Sequence, residues 1–438
     1  MPGGLTKKQL IIVFGGLVLL ALGYYVFFVA GVKPPKPPDV TLTVWGPFSD
    51  RQAFEAVVGQ YQAVRSNVKI SYTQIDESRY AETVLNALAT GQGPDVFMVP
   101  NRALDKYKGL LVPVPPQTVG IQKLESLFPT VVEQDFVRGG QIYALPFYLD
   151  TLALIYNKNA LDQANIAQPP ATWTEFQNVI PYLRTLNDAG QITKAAAAIG
   201  GSEKTVKNAS DLLALLMQQN GVPMTDPQGT RAVISASEKG SGLGALNFYL
   251  SFANAAAPAY TWNDAQPFSL DALGSGRVAM IFGYAADLDT LHRKNPLITF
   301  GTAPMPQTDV NNAVNAARYW ALGVSKQSKN AAWGWDFVAT VATTDGMAKA
   351  YTDATKRLPA LRTLISQKFD DVDLGVFARE ALTARSWMQP DDAPVRDIMS
   401  GAVAGVLSGQ FDSNQALRQM EDQISQLMAM NQNIQSPK

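Results

Sequence analysis

The chain has 438 residues, of which 47% are hydrophobic and 17% are charged, a composition typical of a globular protein with more than one domain. It contains no cysteine and one histidine, His292, which excludes disulfide bonds, iron–sulfur clusters, thiol catalysis and any site that needs two histidines. The formal net charge of −1 gives no basic excess, so we expect no nucleic-acid partner.

The N-terminal segment contains an uncharged apolar run over residues 10–32, preceded by Lys7 and Lys8 and followed by a proline-rich stretch. A helix rises ~1.5 Å per residue, so this run is long enough to cross a hydrocarbon core of ~30 Å. We predict a cytoplasmic N-terminus at 1–9, a transmembrane helix at 10–32 and a stiff linker at 33–39. The remainder would then be extracellular or periplasmic.

A cleaved signal peptide is the alternative for this segment. The apolar region of such a peptide is usually ~7–15 residues long, and it ends at small residues at positions −3 and −1. Cleavage after Ala30 would place the bulky ring of Phe28 at position −3. The length of the run and this residue favour the uncleaved anchor.

The first elements after the linker alternate between strand and helix patterns. Strands are predicted at 40–45, 68–75 and 95–99, and helices at 54–64 and 80–90, the second ended by Gly91 and Pro94. Such a β-α-β-α-β run favours parallel pairing, which places ligands beyond the carboxyl ends of the strands. Residues 45–50 and 99–102 occupy those ends.

The rest of the chain is predicted to mix helices and strands. Residues 141–156 contain two strand-like runs, and residues 277–282 form a strand after a glycine turn. Helical spacing indicates helices at 173–186, 211–219, 243–253 and 331–343, and a largely helical C-terminal part at 393–430. In that last part Leu417, Met420, Ile424 and Leu427 share one apolar stripe. The pattern as a whole predicts an α/β fold.

Five stretches carry a family resemblance. They are residues 41–45, 85–97, 143–158, 169–176 and 276–283, including Gly91-Gln92-Gly93-Pro94-Asp95 and Leu145-Pro146-Phe147-Tyr148. In this order and spacing the chain resembles the family 1 extracellular solute-binding proteins of ABC importers, the group that includes maltose-binding protein. It departs from the family's common pattern in having a membrane helix in place of a lipid-modified cysteine.

The resemblance implies a fold of two α/β lobes around a hinge. Lobe 1 would comprise residues 40–149 and 305–357, and lobe 2 residues 150–304 and 358–438. It also implies a binding protein and not an enzyme, a monomer that closes its lobes on a solute and delivers it to ABC permease subunits. No cofactor and no metal are expected.

The candidate ligand-binding residues come from strand ends and from family-like positions. Trp45 and Phe48 close the first strand, and Asn101 and Arg102 follow the third. The resemblance adds the remaining positions, with Asp150 weighed against a hinge or capping role: Tyr148, Asp150, Tyr284, Trp320, Arg357 and Trp387. Charged and amide groups engage pairs of hydroxyls and aromatic faces cover C–H surfaces, so a mono- or oligosaccharide is the expected ligand.

Three alternatives remain open from the sequence. In the first alternative, the protein binds a phosphorylated polyol or a peptide instead of a sugar. A second alternative is an anchored extracellular glycoside hydrolase with Asp50 and Asp150 as its acid and base pair. A third is a tethered sensor, which would need a membrane partner because the cytoplasmic segment is too short to hold a signalling domain.

We predict that residues 10–32 remain attached in the mature protein. Intact-mass analysis of the membrane-extracted protein should give a mass that includes Leu10. A mature N-terminus near Gly31 would show that the segment is a signal peptide.

Overall fold

The computed structural model describes residues 6–26, 37–47, 51–235 and 241–435. The chain forms two compact units, Met1–Val40 and Thr41–Lys438. In the first unit, helix α1 spans Lys7–Tyr24 and starts with a capping box, in which the Thr6 hydroxyl accepts the Gln9 N–H and the Gln9 side chain accepts the Thr6 N–H.

Helix α1 exposes its apolar side chains, including Ile12 and Leu19. It is the one helix within the described residues that is long and apolar enough to cross a membrane, and an N-terminal signal sequence has the same properties. The predicted span continues to residue 32, and its last part lies outside the described residues, as does most of the proline-rich linker.

The elements that follow are short strands and mostly amphipathic helices. The strands are β1 (Val40–Gly46), β2 (Val68–Gln74), β3 (Val96–Pro100), β4 (Leu111–Val112), β5 (Val137–Arg138), β6 (Gln141–Ile142), β7 (Leu145–Pro146), β8 (Tyr148–Leu149), β9 (Leu152–Asn157), β10 (Thr185–Leu186), β11 (Ile192–Ala197), β12 (Val278–Tyr284), β13 (Phe300–Ala303), β14 (Asn315–Ala316), β15 (Trp320–Ser325), β16 (Leu358–Pro359) and β17 (Ala384–Arg385). The helices are α2 (Arg51–Val64), α3 (Glu77–Ala89), α4 (Leu104–Tyr107), α5 (Ile121–Leu127), α6 (Thr130–Phe136), α7 (Lys158–Gln163), α8 (Trp173–Leu183), α9 (Ala209–Gln219), α10 (Gly242–Ser251), α11 (Ser269–Gly274), α12 (Ala285–Lys294), α13 (Ala331–Thr343), α14 (Asp345–Thr355), α15 (Arg362–Ser366), α16 (Gly375–Glu380), α17 (Asp392–Leu407) and α18 (Ser413–Gln435).

One sheet forms the centre of the first lobe. Its strand order is β2-β1-β3-β15-β4, and β7 also pairs with β15. Strand β1 runs parallel to β3, as the β-α-β-α-β pattern predicts, whereas β15 runs antiparallel to β3. Helices α2 and α13 each pack against a strand of this sheet. They also contact each other, with the Phe337 ring 5.0 Å from that of Tyr61 and 6.3 Å from that of Phe54.

A second sheet forms the centre of the other lobe. Its order is β10-β11-β12-β9-β13, with β12 parallel to β11 and antiparallel to β9. The capping box at Thr172 and Glu175 starts helix α8, which places Trp173 and Phe176 against Phe282 at ring distances of 5.7 and 5.5 Å. These two sheets give the mixed α/β, two-lobed architecture.

The chain crosses between the two sheets three times. It leaves the first sheet after β7 and enters the second at β9, returns to the first at β15, and crosses again near β16. Residues 306–316 bond to the second lobe, because the side-chain amide of Gln219 donates to the carbonyls of Pro306 (3.2 Å) and Val314 (3.1 Å). The boundary predicted at residue 305 assigns residues 306–316 to lobe 1, whereas these hydrogen bonds connect them to the second lobe.

Several local predictions differ from the structure. Residues 141–156 form four short strands instead of two: β6 pairs with the neighbouring β5, whereas β7, β8 and β9 each pair with a distant segment. The helix predicted at 173–186 ends at Leu183, since Thr185 and Leu186 pair with β11. The helix predicted at 54–64 begins earlier, at Arg51, and its last residue, the apolar Val64, is exposed.

A buried glutamate joins the second lobe to the segment that leads to the second crossing. Glu380 Oε1 accepts the backbone N–H of Met305 at 2.6 Å, and Oε2 has no hydrogen-bond partner within the described residues. Burial raises the pKa of Glu380 to about 8, while the Met305 N–H and the charge of Arg379 act to lower it.

We predict that Glu380→Gln makes the protein less sensitive to alkaline pH. The folded chain binds a proton at Glu380 that the unfolded chain loses near pH 4.5, so the native stability falls as pH rises from 4.5 to about 8. The melting temperature of the full chain in mild detergent should therefore drop between pH 5 and 9 by a few degrees more for the wild type than for Glu380→Gln.

The exposed Glu125→Gln variant controls for the loss of a carboxylate on the surface. Asp135 and Asp150 titrate in all three proteins, so the difference between wild type and Glu380→Gln isolates Glu380. Parallel pH profiles for those two proteins would contradict the prediction.

Candidate functional site

A cavity with charged walls lies between the two lobes and has a volume of about 860 Å³. This volume is within the range of small-molecule sites, ~300–1,000 Å³. Among the described residues its lining includes six basic side chains, six acidic side chains and five aromatic rings. They are Arg102, Lys106, Lys207, Arg318, Arg357 and Arg396; Glu77, Glu82, Asp150, Asp287, Asp391 and Asp392; and Tyr107, Tyr148, Tyr284, Tyr319 and Trp320.

The three crossing segments lie side by side at the base of this cavity. Strand β8 pairs antiparallel with β16, so that Tyr148 lies opposite Pro359. Thr151 forms an antiparallel bridge with Ala317, and the N–H of Arg318 donates to the carbonyl of Asp150 at 3.0 Å. Residues from distant parts of the sequence therefore meet where the lobes join.

Asp150 lies on the first crossing and caps a helix of the second lobe. Its two carboxylate oxygens accept the N–H groups of Ala285 (2.8 Å) and Ala286 (3.2 Å) at the start of α12. Burial raises the pKa of Asp150 to about 7, and these N–H groups together with the charge of Arg357 act to lower it. The carboxylate lines the cavity, and its hydrogen bonds to Ala285 and Ala286 are those of a helix cap, the alternative role weighed for Asp150 from the sequence.

Three further predicted residues form one wall of the cavity. The guanidinium carbon of Arg357 lies 4.8 Å from the centre of the Tyr148 ring, a cation–π contact. The Tyr148 hydroxyl accepts the backbone N–H of Trp320 at 3.1 Å. The Trp320 side chain is half-buried and packs edge-on against Tyr80, with ring centres 5.2 Å apart. This wall offers an aromatic surface beside a cation.

Arg102 reaches from the first lobe to the second. Its guanidinium group forms an ion pair with Asp211 and donates to the Tyr284 hydroxyl at 3.1 Å and to the Ala317 carbonyl at 3.2 Å. The Tyr284 hydroxyl in turn donates to Asp211 at 2.7 Å. Burial raises the pKa of Asp211, but the charges of Arg102 and Arg318 outweigh it and leave the pKa below its usual value. Arg102 and Tyr284 thus lie together in the cavity wall.

Asn101 is also buried, and its side chain holds the second crossing. The amide nitrogen donates to Asp135 at 3.0 Å, and the amide oxygen accepts the N–H of Tyr319 at 3.0 Å. The Tyr319 hydroxyl donates to the same carboxylate at 2.7 Å. Burial raises the pKa of Asp135 to about 6, while bonds from Ser386, Tyr319 and Asn101 act to lower it. Asn101 lines the cavity with most of its bonding capacity in use.

The other three predicted residues are not placed in the cavity lining. Trp45 alternates along β1 with the buried residues Val44 and Gly46 and is half-buried on the opposite face. Trp387 is buried, with an indole N–H that has no hydrogen-bond partner within the described residues. Phe48 lies outside the described residues. The cavity thus unites Asn101, Arg102, Tyr148, Asp150, Tyr284, Trp320 and Arg357.

Most of the charged lining was missed by the sequence analysis. Arg318 lies two residues before Trp320, and Lys106 lies one helical turn after Arg102. Asp391 and Asp392 precede Pro394 at the start of α17, an arrangement typical of a helix N-terminus. That helix signal, combined with the expected position of Trp387, could have directed attention to this segment.

The lining carries both hydrogen-bond donors and hydrogen-bond acceptors, on six basic and six acidic side chains among the described residues. No group of histidine, aspartate and glutamate residues within the described part of the chain has the arrangement to hold a metal ion. The hydrolytic alternative required Asp50, which lies outside the described residues, together with Asp150, whose carboxylate accepts three backbone N–H groups including that of Thr151.

Comparisons with known sequences agree with this architecture. The model of the family described as bacterial extracellular solute-binding protein matches residues 45–348. Maltotriose-binding protein from Pyrococcus abyssi is 30% identical over 136 residues, which cover 30% of this chain and 28% of that relative. A probable ABC transporter-binding protein from Deinococcus radiodurans is 23% identical over 332 residues, 71% of this chain and 74% of that relative.

Solved structures share the fold at low sequence identity. The sugar-binding protein MalE from Xanthomonas citri has a TM-score of 0.73 at 17% identity, over 91% of this chain and 100% of that one. An ABC substrate-binding protein from Listeria monocytogenes, in complex with cycloalternan, has a TM-score of 0.72 at 18% identity, over 89% of this chain and 99% of that one. With the family match extending over most of the folded part, the chain belongs to the bacterial extracellular solute-binding proteins.

Proposed function

We propose that the chain binds a neutral carbohydrate in the cavity between its lobes and delivers it to the permease of an ABC importer. The observation that carries this proposal is the balance of the lining, six basic against six acidic side chains among the described residues. A neutral polyol needs both donors and acceptors, whereas a phosphorylated polyol favours a basic excess. The sugars named with the relatives and the structural neighbours support the same ligand class.

The aromatic wall supports a ligand with flat apolar faces. Tyr148 and Trp320 lie beside the Arg357 guanidinium, and Tyr284 lies on the second lobe. Sugar rings present C–H faces that aromatic rings cover at little polar cost, while their hydroxyls meet the charged groups. Contacts from both lobes would favour the closed arrangement when the ligand binds.

Helix α1 is a candidate membrane anchor, which would keep the protein at the membrane where the proposed transport takes place. If it anchors the chain, the binding lobes stay next to the membrane that holds the permease, without a lipid-modified cysteine. A monomer suffices for this role because both halves of the site come from one chain. The relative described as a probable ABC transporter-binding protein supports the permease as partner.

We predict that Trp320→Ala weakens sugar binding about 10- to 100-fold. A large apolar side chain contributes ~1.5–3 kcal/mol through the area that it buries, and ~1.4 kcal/mol is a tenfold change in affinity. Isothermal titration calorimetry of the full chain with a panel of mono- and oligosaccharides measures the change.

Trp333→Ala is the matched control, because Trp333 is also half-buried and lies on α13 away from the cavity lining. If the wild type binds peptides or phosphorylated polyols and no neutral sugar, the carbohydrate proposal fails. If a sugar binds and both variants retain wild-type affinity, the ligand lies elsewhere.

We also predict that a bound oligosaccharide stays intact. Asp150 uses both carboxylate oxygens as a helix cap, so it is poorly placed to serve as one of two catalytic carboxylates. Chromatography of the sugar that calorimetry identifies, after prolonged incubation with the full chain, should show no products. Release of shorter sugars that is abolished by Asp150→Asn would support the hydrolase alternative.

A further inference from the structure

The segment from Ser386 to Asp392, here called the strap, bonds to the first lobe along its length. The Ser386 hydroxyl donates to Asp135 on α6, and the N–H of Gln389 donates to the Arg102 carbonyl at 2.6 Å. The Lys106 ammonium group forms an ion pair with Asp391 at 2.5 Å. Asp135, Arg102 and Lys106 all belong to the first lobe.

The strap is also fixed to the second lobe. It continues directly into α17, which packs against α9 and α18 of that lobe. The carbonyl of Pro390 accepts a hydrogen bond from the side-chain amide of Asn431 on α18 at 2.5 Å. The strap therefore forms hydrogen bonds and an ion pair with the first lobe and a hydrogen bond with the second lobe.

Asp392, at the end of the strap, lies close to three arginine side chains at the cavity. Its carboxylate lies 3.3 Å from Arg318 and 3.7 Å from Arg102, and 3.8 Å from Arg396 of its own helix. Arg318 also pairs with Glu77 of the first lobe at 3.1 Å. An opening of the lobes would separate Asp392 from Arg102 of the first lobe, whose side chain is buried, at an electrostatic cost. Arg396 lies one turn along the same helix as Asp392 and moves with it.

We propose that the strap is an electrostatic clamp that holds the two lobes closed through bonds within the protein itself. Its role as a regulator of ligand capture rests on the proposed function, in which the solute enters between the lobes. A clamp of this kind raises the fraction of molecules in the closed, binding-competent arrangement, and the apparent affinity rises with that fraction.

The pair between Lys106 and Asp391 is the part of the clamp that can be tested separately. Both groups sit at the cavity, with side chains 15% and 30% exposed, and neither carries the buried bonds of Arg102. Because they also line the cavity, affinity alone would not separate a clamp from a ligand contact. The test therefore measures the distance between the lobes with no solute present.

The chain lacks cysteine, so two spin labels can be introduced without background. Gln60→Cys on α2 and Asn178→Cys on α8 place one label on an exposed position of each lobe. Double electron–electron resonance on the full chain in detergent then compares Lys106→Gln, Asp391→Asn and the double variant with the wild type. Each single variant should raise the ratio of open to closed molecules roughly two- to fivefold, as expected for loss of one partly exposed pair.

The double variant should show the same shift as either single variant, because all three remove one interaction. Lys108→Gln is the matched control, since Lys108 pairs with Asp105 of its own lobe, and it should leave the distances unchanged. Unchanged distances in the single variants, additive shifts in the double variant, or an equal shift in the control would each overturn the clamp. A chain that shows the expected shifts and binds no sugar would refute the proposed function alone.

Discussion

The structure depends on the close pairing of the chain's three passages between the lobes. Strand β8 pairs with β16, and Thr151 pairs with Ala317, so all three passages meet within one small region. Backbone hydrogen bonds of this kind fix the register of distant segments and leave the lobes above them connected by few strands. The position of the cavity and the identity of its walls both follow from this arrangement.

Buried polar groups reinforce the junction and define the chemistry of the cavity. Asp150 caps α12, and Asp135 gathers Asn101, Tyr319 and Ser386 around one carboxylate. A buried acid that is fully hydrogen-bonded specifies one arrangement of its neighbours, because each lost bond would leave a desolvated group unpaired. Asp150, Asn101 and Tyr319 also line the cavity, so the junction and the binding surface share residues.

The regular elements could be predicted because their signals are local. Helical spacing predicts the start of α8 at residue 173, where the structure has the Thr172–Glu175 capping box. Gly91, which has a positive φ, follows α3 as expected of a C-terminal glycine. The pairing of β10 with β11, which ends α8 early, depends on a strand that lies later in the sequence. Local patterns carry no information about such a partner.

The candidate site shows the same limit. The resemblance directed attention to Tyr148, Asp150 and Trp320, yet the helix that Asp150 caps begins 135 residues away. Arg318, Asp391 and Asp392 are ordinary surface charges in the sequence, and their importance comes from the ion pairs that folding creates. Trp45 is a predicted site residue that is absent from the cavity lining. Side chains alternate between the two faces of a strand, and Trp45 lies on the face of β1 opposite to the buried Val44 and Gly46.

The central claim is that the balanced, aromatic-walled cavity selects a neutral carbohydrate. Native mass spectrometry of the purified full chain, incubated with an equimolar mixture of neutral sugars, sugar phosphates and short peptides, tests this claim most directly. The account predicts a single adduct with the mass of a neutral mono- or oligosaccharide. An adduct with a sugar phosphate or a peptide in its place, or no adduct with any sugar in the mixture, would contradict it.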